Sequence, residues 1–311
     1  MIIHGISDKK YGKLLKRRVF KDKVAHLYML LLTAISVSLL VIMGIGLYLK
    51  SQTILDSHSA WTLLTSSEWK PLKGDFGFLP FIAGTLAITL LSIIIALPVS
   101  LLTGIFITEN AKPWVKRFVF PALDILAGIP SVVYGVWGTL IIVPWIADVV
   151  GPHFVEYTSG YTVLAGGIVM SVMIIPLLVS LFVEIFSTVP NDYRDAAASL
   201  GATKWQISQK IILRKALPGI IAAVVLAISR ALGETIAVLM VCGNLPETPH
   251  SLFDSCYPLP ALIANNYGEM LSLPLYESAL MFAAFILFFV ILFFNAGSRI
   301  VLQQVEKQYK M

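Results

Sequence analysis

The sequence predicts an all-α integral membrane protein with six transmembrane helices, and three observations support that class. Of 311 residues, 57% are hydrophobic and 13% charged, and the mean hydropathy is +0.83, far from the composition of soluble domains. Six apolar runs are long enough to cross about 30 Å of hydrocarbon, which takes roughly 20 helical residues. The runs are continuously apolar rather than alternating, which excludes a β-barrel.

Taken in order, the runs cover residues 24–49, 78–107, 118–146, 161–186, 217–241 and 275–297. The first lacks a small-residue cleavage site and is longer than a signal-peptide core, so it is expected to remain as an anchor. The third is interrupted by Gly128-Ile129-Pro130-Ser131. Proline removes a helical hydrogen bond and glycine loosens the backbone. Gly128, Pro130 and Ser131 therefore mark either a kink used for packing or an unwound turn beside a pathway. The fifth contains Arg230 and Glu234, four residues apart and so expected on one helical face. Each is costly in hydrocarbon. Two readings stand: a neutralising ion pair, or a guanidinium turned toward an aqueous path, where it would attract an anion and Glu234 would orient it.

Topology follows from lysine and arginine, which accumulate in cytoplasmic loops. Eight stand in the N-terminal arm (1–23), three in the second connection, five in the fourth and three in the tail (299–311). Lys50, Lys70 and Lys73 are on the opposite side, and Arg230 is inside a run. Both termini are expected to be cytoplasmic, flanking one membrane domain over 24–298. The formal charge of +5 follows this topology and forms no patch with interleaved aromatics, which excludes nucleic acid as a partner and leaves lipid. Cys242 and Cys256 fall near the outer face, as two independent thiols or as one pair. There is no phosphate loop ending in Gly-Lys-Ser/Thr, and the five histidines have neither metal-ligand nor triad spacing. No catalytic residue and no metal site are expected.

The outer segment 243–274 has five prolines and no basic residue, so it is expected to fold back on the outer face and partly re-enter the membrane. The cytoplasmic loop 190–216 reads as a short helix. Asn191 or Asp192 is placed to cap its start, and Gly201 suits the left-handed residue that ends it. An amphipathic stretch with Trp205, Ile207 and Ile211 follows. A small capped helix across the ends of two spans can sit in a socket on a soluble partner, with Trp205 as an anchor.

Asp195, Ala196, Ala197, Gly201, Ile211 and Leu213 are similar to the EAA motif of bacterial ABC importer permeases. Asp195 replaces the usual glutamate and keeps its charge, while Arg214 stands where proline is usual. The stretch Arg230-Ala231-Leu232-Gly233-Glu234-Thr235, together with residues 127–135, resembles the phosphate-specific transport permeases. Residues 77–85 and 236–244 look more like their C-type than their A-type subunit. The resemblance implies a type I ABC importer permease fold with a short cytoplasmic coupling helix, in the bacterial cytoplasmic (inner) membrane. It implies a heterodimer with the A-type permease, two copies of an ATPase subunit that bind ATP and Mg, and an extracytoplasmic phosphate-binding protein. No cofactor is implied in this chain. Asp195, Ala196, Ala197, Gly201 and Trp205 would couple to the ATPase, and Arg230 and Glu234 would line the substrate path. Import of another oxyanion (molybdate, tungstate or sulfate) and an ATP-independent secondary transporter remain as alternatives.

Overall fold

The computed structural model describes residues 4–268 and 273–309. Positions 1–3 of the arm, 269–272 of the last outer loop and 310–311 of the tail lie outside the described residues. The chain divides into two units, 1–50 and 51–311. The first is a single helix, His4–Lys50, whose stretch Arg18–Lys50 is long and apolar enough to span a membrane. No proline interrupts it, so arm and span form one rod.

The second unit holds five further spans: Leu79–Asn110, Ser131–His153, Val163–Ser187, Lys204–Leu232 and Pro274–Gln304. The expected six spans are present, but two of them differ from the runs read in the sequence. The third run, expected over 118–146, is cut in two. A helix Pro113–Gly128 ends at Ile129, whose ψ is 128°, and the next begins at Ser131. Pro130 causes this, because its ring excludes the helical conformation from the residue before it. The Tyr134 hydroxyl donates to the Leu126 carbonyl at 2.8 Å, stapling the two pieces across the break. The fifth run, expected over 217–241, starts earlier and stops earlier. Its helix ends at Leu232 with Gly233 as the cap, and a short turn of helix, Ile236–Leu239, follows. The Glu234 carboxylate accepts the Ala237 N–H at 3.3 Å. A flexible glycine followed by a side chain that competes for backbone donors is a local reason to interrupt the helix.

The core of this unit is the seam between the second and fourth spans. Helices in lipid have little hydrophobic force to bring them together, so close packing of small residues holds them. A methyl added at Gly167 would lie 2.5 Å from Leu91 Cδ2, and one at Gly104 would lie 2.9 Å from Phe182 Cβ. The Ser100 hydroxyl donates across the seam to the Ile175 carbonyl at 3.4 Å. Residues 51–78 form a cap around Trp69. The rings of Phe81, Phe78 and Phe76 meet that indole edge-on at 4.8, 5.4 and 5.5 Å between centroids. Such pairs are each worth about 0.5–1.5 kcal/mol beyond their burial.

The segment after the fifth span folds back as expected. Its helix Leu259–Asn266 buries Leu259, Ala261 and Leu262 completely or nearly so. The Leu259 N–H donates to Thr85 Oγ1 on the second span at 2.9 Å. Asn265 and Asn266 both donate to the Tyr257 hydroxyl, at 3.0 and 3.1 Å, and Tyr276 donates to Asn266 Oδ1 at 2.9 Å. Cys242 and Cys256 are free and buried. They sit on paired backbone, with the Cys256 N–H donating to the Cys242 carbonyl at 3.0 Å.

Candidate functional site

Two arrangements gather the residues singled out in the sequence. The first is the short helix Asn191–Ser199 between the fourth and fifth spans. Pro190 is its N-cap residue, and no side-chain hydrogen bond caps it. Neither Asn191 nor Asp192 takes the expected capping role; Asn191 Oδ1 instead accepts from Arg194 at 3.2 Å. The C-terminus is closed as anticipated. Gly201 has φ +82°, its N–H donates to the Ala198 carbonyl at 2.9 Å, and the Ala202 N–H donates to Ala197 at 3.1 Å. That pair of bonds is the Schellman closure, in which a side chain at the left-handed residue costs about 1–2 kcal/mol.

A second cap follows at once. The Thr203 hydroxyl accepts the Gln206 N–H at 3.3 Å, and Gln206 Oε1 accepts the Thr203 N–H at 2.9 Å. This is a capping box, legible in Thr203-x-x-Gln206 but absent from the sequence reading above. The two caps leave the loop little freedom between its helices. They also sort its side chains. Ala197 is buried with Phe186, Val189 and Ile207, whereas Asp195 and Ala196 face outward. Trp205 is 56% exposed and Leu200, which the motif does not include, is 90% exposed. The outward surface is thus an acid, a small residue and two large apolar side chains. Arg214, the unusual residue, is exposed on an uninterrupted helix.

The second arrangement is a junction between the two broken spans. Gly135 and Gly138 of the third span lie against the turn that follows Arg230. A methyl at Gly135 would stand 3.2 Å from Ala237 Cα, and one at Gly138 would stand 2.8 Å from Val241 Cγ1. The Thr139 hydroxyl bonds to the Met240 carbonyl at 3.1 Å. These contacts set the turn after Arg230 beside the helical piece that begins at Ser131, just past the stapled break. Two motifs a hundred residues apart in sequence are therefore neighbours. Arg230 and Glu234 do not share a face, because the helix ends between them. Among the described residues no ion pair within 4.0 Å joins them. Arg230 is exposed and Glu234 half-buried, with the glutamate turned to the Ala237 N–H. The neutralising pair is corrected by this geometry.

Three residues that matter to these arrangements were missed or undervalued. Tyr134 falls within the stretch 127–135, Leu200 within the loop 190–216 and Arg194 among the basic residues that set topology, each without a role of its own. Among the described residues no three His, Cys, Asp or Glu side chains are grouped to hold a metal ion.

Comparison with known proteins places this architecture. Residues 100–308 match the family model of binding-protein-dependent transport system inner membrane components. A probable ABC transporter permease of Bacillus subtilis, YqgH, is 39% identical over 243 residues, covering 77% of this chain and 76% of its own. The phosphate transport system permease protein PstC of Xylella fastidiosa is 35% identical over 257 residues, covering 78% and 79%. In fold, the inward-facing MetNI methionine ABC transporter matches with a TM-score of 0.52 at 18% identity, over 79% of this chain and 96% of that one. A bacterial alginate ABC transporter, solved with its periplasmic protein, matches with 0.54 at 16% identity, over 75% and 82%. The six-span architecture, the exposed cytoplasmic helix and these relatives together show that the chain belongs to the family of binding-protein-dependent transport system inner membrane components, as a multi-pass, non-enzymatic permease subunit of an ABC importer.

Proposed function

We propose that this chain is the C-type permease subunit of an ATP-driven importer of inorganic phosphate, with both termini in the cytoplasm. The observation that carries the substrate is Arg230, an exposed guanidinium with no carboxylate partner among the described residues, set at a helix end inside the membrane. A cation in that position is costly unless something offsets it, and a planar fork of N–H donors matches the oxygens of phosphate. The Xylella fastidiosa relative, named a phosphate transport system permease protein, supports the same substrate.

The geometry supports a division of labour. The arm 1–23 and the tail 299–311 lie on the cytoplasmic side of the permease domain 24–298. Two ATPase copies hold ATP and Mg, and one presses on Asp195, Ala196, Leu200 and Trp205 within the coupling loop 190–216. Closure of the ATPases drives that helix and switches a pore shared with an A-type permease from inward-open to outward-open. Phosphate delivered by the extracytoplasmic binding protein then passes Arg230, while the breaks at Gly128-Pro130-Ser131 and at Gly233 let the backbone yield beside it. Glu234 anchors the turn after the break.

Reconstitution of the four-subunit complex with its binding protein tests this. Phosphate uptake is expected to stop when ATP hydrolysis is blocked, and molybdate, tungstate and sulfate are expected to compete poorly. Uptake that continues without hydrolysis would sink the reading. Arg230→Gln is expected to cut transport by about tenfold or more with the complex still assembled. Loss of assembly instead would assign Arg230 a structural role.

A further inference from the structure

Arg194 precedes the Asp195-Ala196-Ala197 triplet but is turned the other way, into the protein. Its side chain is 17% exposed and that of Glu109, its ion-pair partner, is 13% exposed. Nε donates to both Glu109 carboxylate oxygens at 3.3 Å, and Nη2 donates to Oε1 at 3.0 Å. Nη2 also donates to the Phe186 carbonyl at 3.0 Å. Nη1 donates to the Val189 carbonyl and, at 3.2 Å, to Asn191 Oδ1. A guanidinium has five N–H donors in a fixed plane, and every one of them is used.

The partners belong to different parts of the fold. Phe186 and Val189 are at the cytoplasmic end of the fourth span, where the last helical carbonyls lack donors of their own. Glu109 lies at the cytoplasmic end of the second span, 85 residues away in sequence. It sits in a π turn, Phe106–Asn110, closed by the Ala111 N–H to the Phe106 carbonyl at 2.9 Å. Such wide turns displace side chains from the regular helical register. Lys116 donates to the Thr108 carbonyl in the same turn at 3.2 Å.

Chain connectivity makes this contact consequential. The coupling helix is covalently continuous with the fourth and fifth spans only. The second span, which with the fourth forms the core seam, receives displacement of that helix through non-covalent contact. We infer that the Arg194–Glu109 pair is a clamp that carries the motion of the coupling helix to the second span, with Arg194 and Glu109 as positioning residues for transport. The clamp is distinct from the outward surface that meets the ATPase. It rests on the importer reading above. Lysine cannot replace the arginine, since three donors on a flexible stem cannot serve the carboxylate and the carbonyls together.

The test uses the whole reconstituted complex and measures inorganic phosphate taken up per ATP hydrolysed. Glu109→Gln removes the charge and leaves the bonds from Arg194 to the fourth span in place. Its ratio is expected to fall about tenfold, in the range of ordinary coupling between sites, while hydrolysis stays within about twofold of wild type. Arg194→Lys is expected to lower the ratio at least as much. The double variant should be no worse than Arg194→Lys alone, because the two residues act through one contact. An unchanged ratio in assembled Glu109→Gln complexes, or additive losses in the double variant, would overturn the clamp. If Glu109→Gln does not assemble, Glu109→Asp keeps the charge with a shorter reach, and an unaltered ratio there overturns the clamp equally. A wild-type complex that shows no ATP-driven uptake would overturn the importer reading instead.

Discussion

The loop 190–216 and the junction beside Arg230 are both breaks in helical structure, yet they are stabilised in opposite ways. The loop closes on itself. Gly201 ends one helix and Thr203 with Gln206 begins the next, all through bonds spanning three to five residues. The junction is closed by contacts between spans, with Gly135, Gly138 and Thr139 against Ala237, Met240 and Val241. In water a loop can satisfy stray backbone groups with solvent, so local caps suffice. In hydrocarbon a broken helix has to find its partners in neighbouring helices. The loop can therefore move as a unit without unfolding, whereas the junction moves only if the spans move with it.

Substitutions can break or sharpen that contrast, and the largest effect is expected at the junction. In Gly138→Val the first added carbon would lie 2.6 Å from Val169 Cγ2 and 2.8 Å from Val241 Cγ1. Overpacking of this kind costs about 1–3 kcal/mol, and the further methyls of valine add to it. A lower thermal midpoint and lost uptake are expected together; an unchanged midpoint would show that the junction is soft. Next comes Gly201→Val, where nothing lies within 4 Å of an added carbon but φ is +82°. The cost is about 1–2 kcal/mol, confined to the loop. Hydrolysis should then continue with less phosphate moved per ATP and little change in the midpoint. Normal uptake would remove Gly201 from coupling. The smallest effect is expected from Thr203→Ala, which deletes half of the capping box at about 1 kcal/mol. Faster amide exchange over 203–207, with uptake altered less than in Gly201→Val, would fit local closure. A drop in the midpoint as large as that of Gly138→Val would contradict it.

How far the sequence revealed these features follows the same division. The six spans, the short helix 191–199 and its glycine end were legible, because composition and short-range spacing determine them. The Thr203-x-x-Gln206 cap was equally legible and went unread. The end of the fifth span at Leu232 was hidden, since Gly233-Glu234-Thr235 stands between two apolar stretches that read as one run. Only the packing of the third span beside that stretch makes a break affordable there. The five-donor role of Arg194 could not be read locally at all: its main partner is on another span, and a single arginine in a basic loop counts toward topology whatever it touches.

The seam between the second and fourth spans also bears on how the chain is made. The second span precedes its partner in the chain, and it contains Thr85 and Ser92, both almost wholly buried in the finished fold. Their hydroxyls donate to carbonyls of their own helix, Thr85 to Phe81 at 2.7 Å and Ser92 to Thr89 at 2.8 Å. Bonds of this kind need no neighbour. The span thus satisfies those two hydroxyls by itself, whereas the Ser100 hydroxyl depends on the Ile175 carbonyl that only the fourth span supplies.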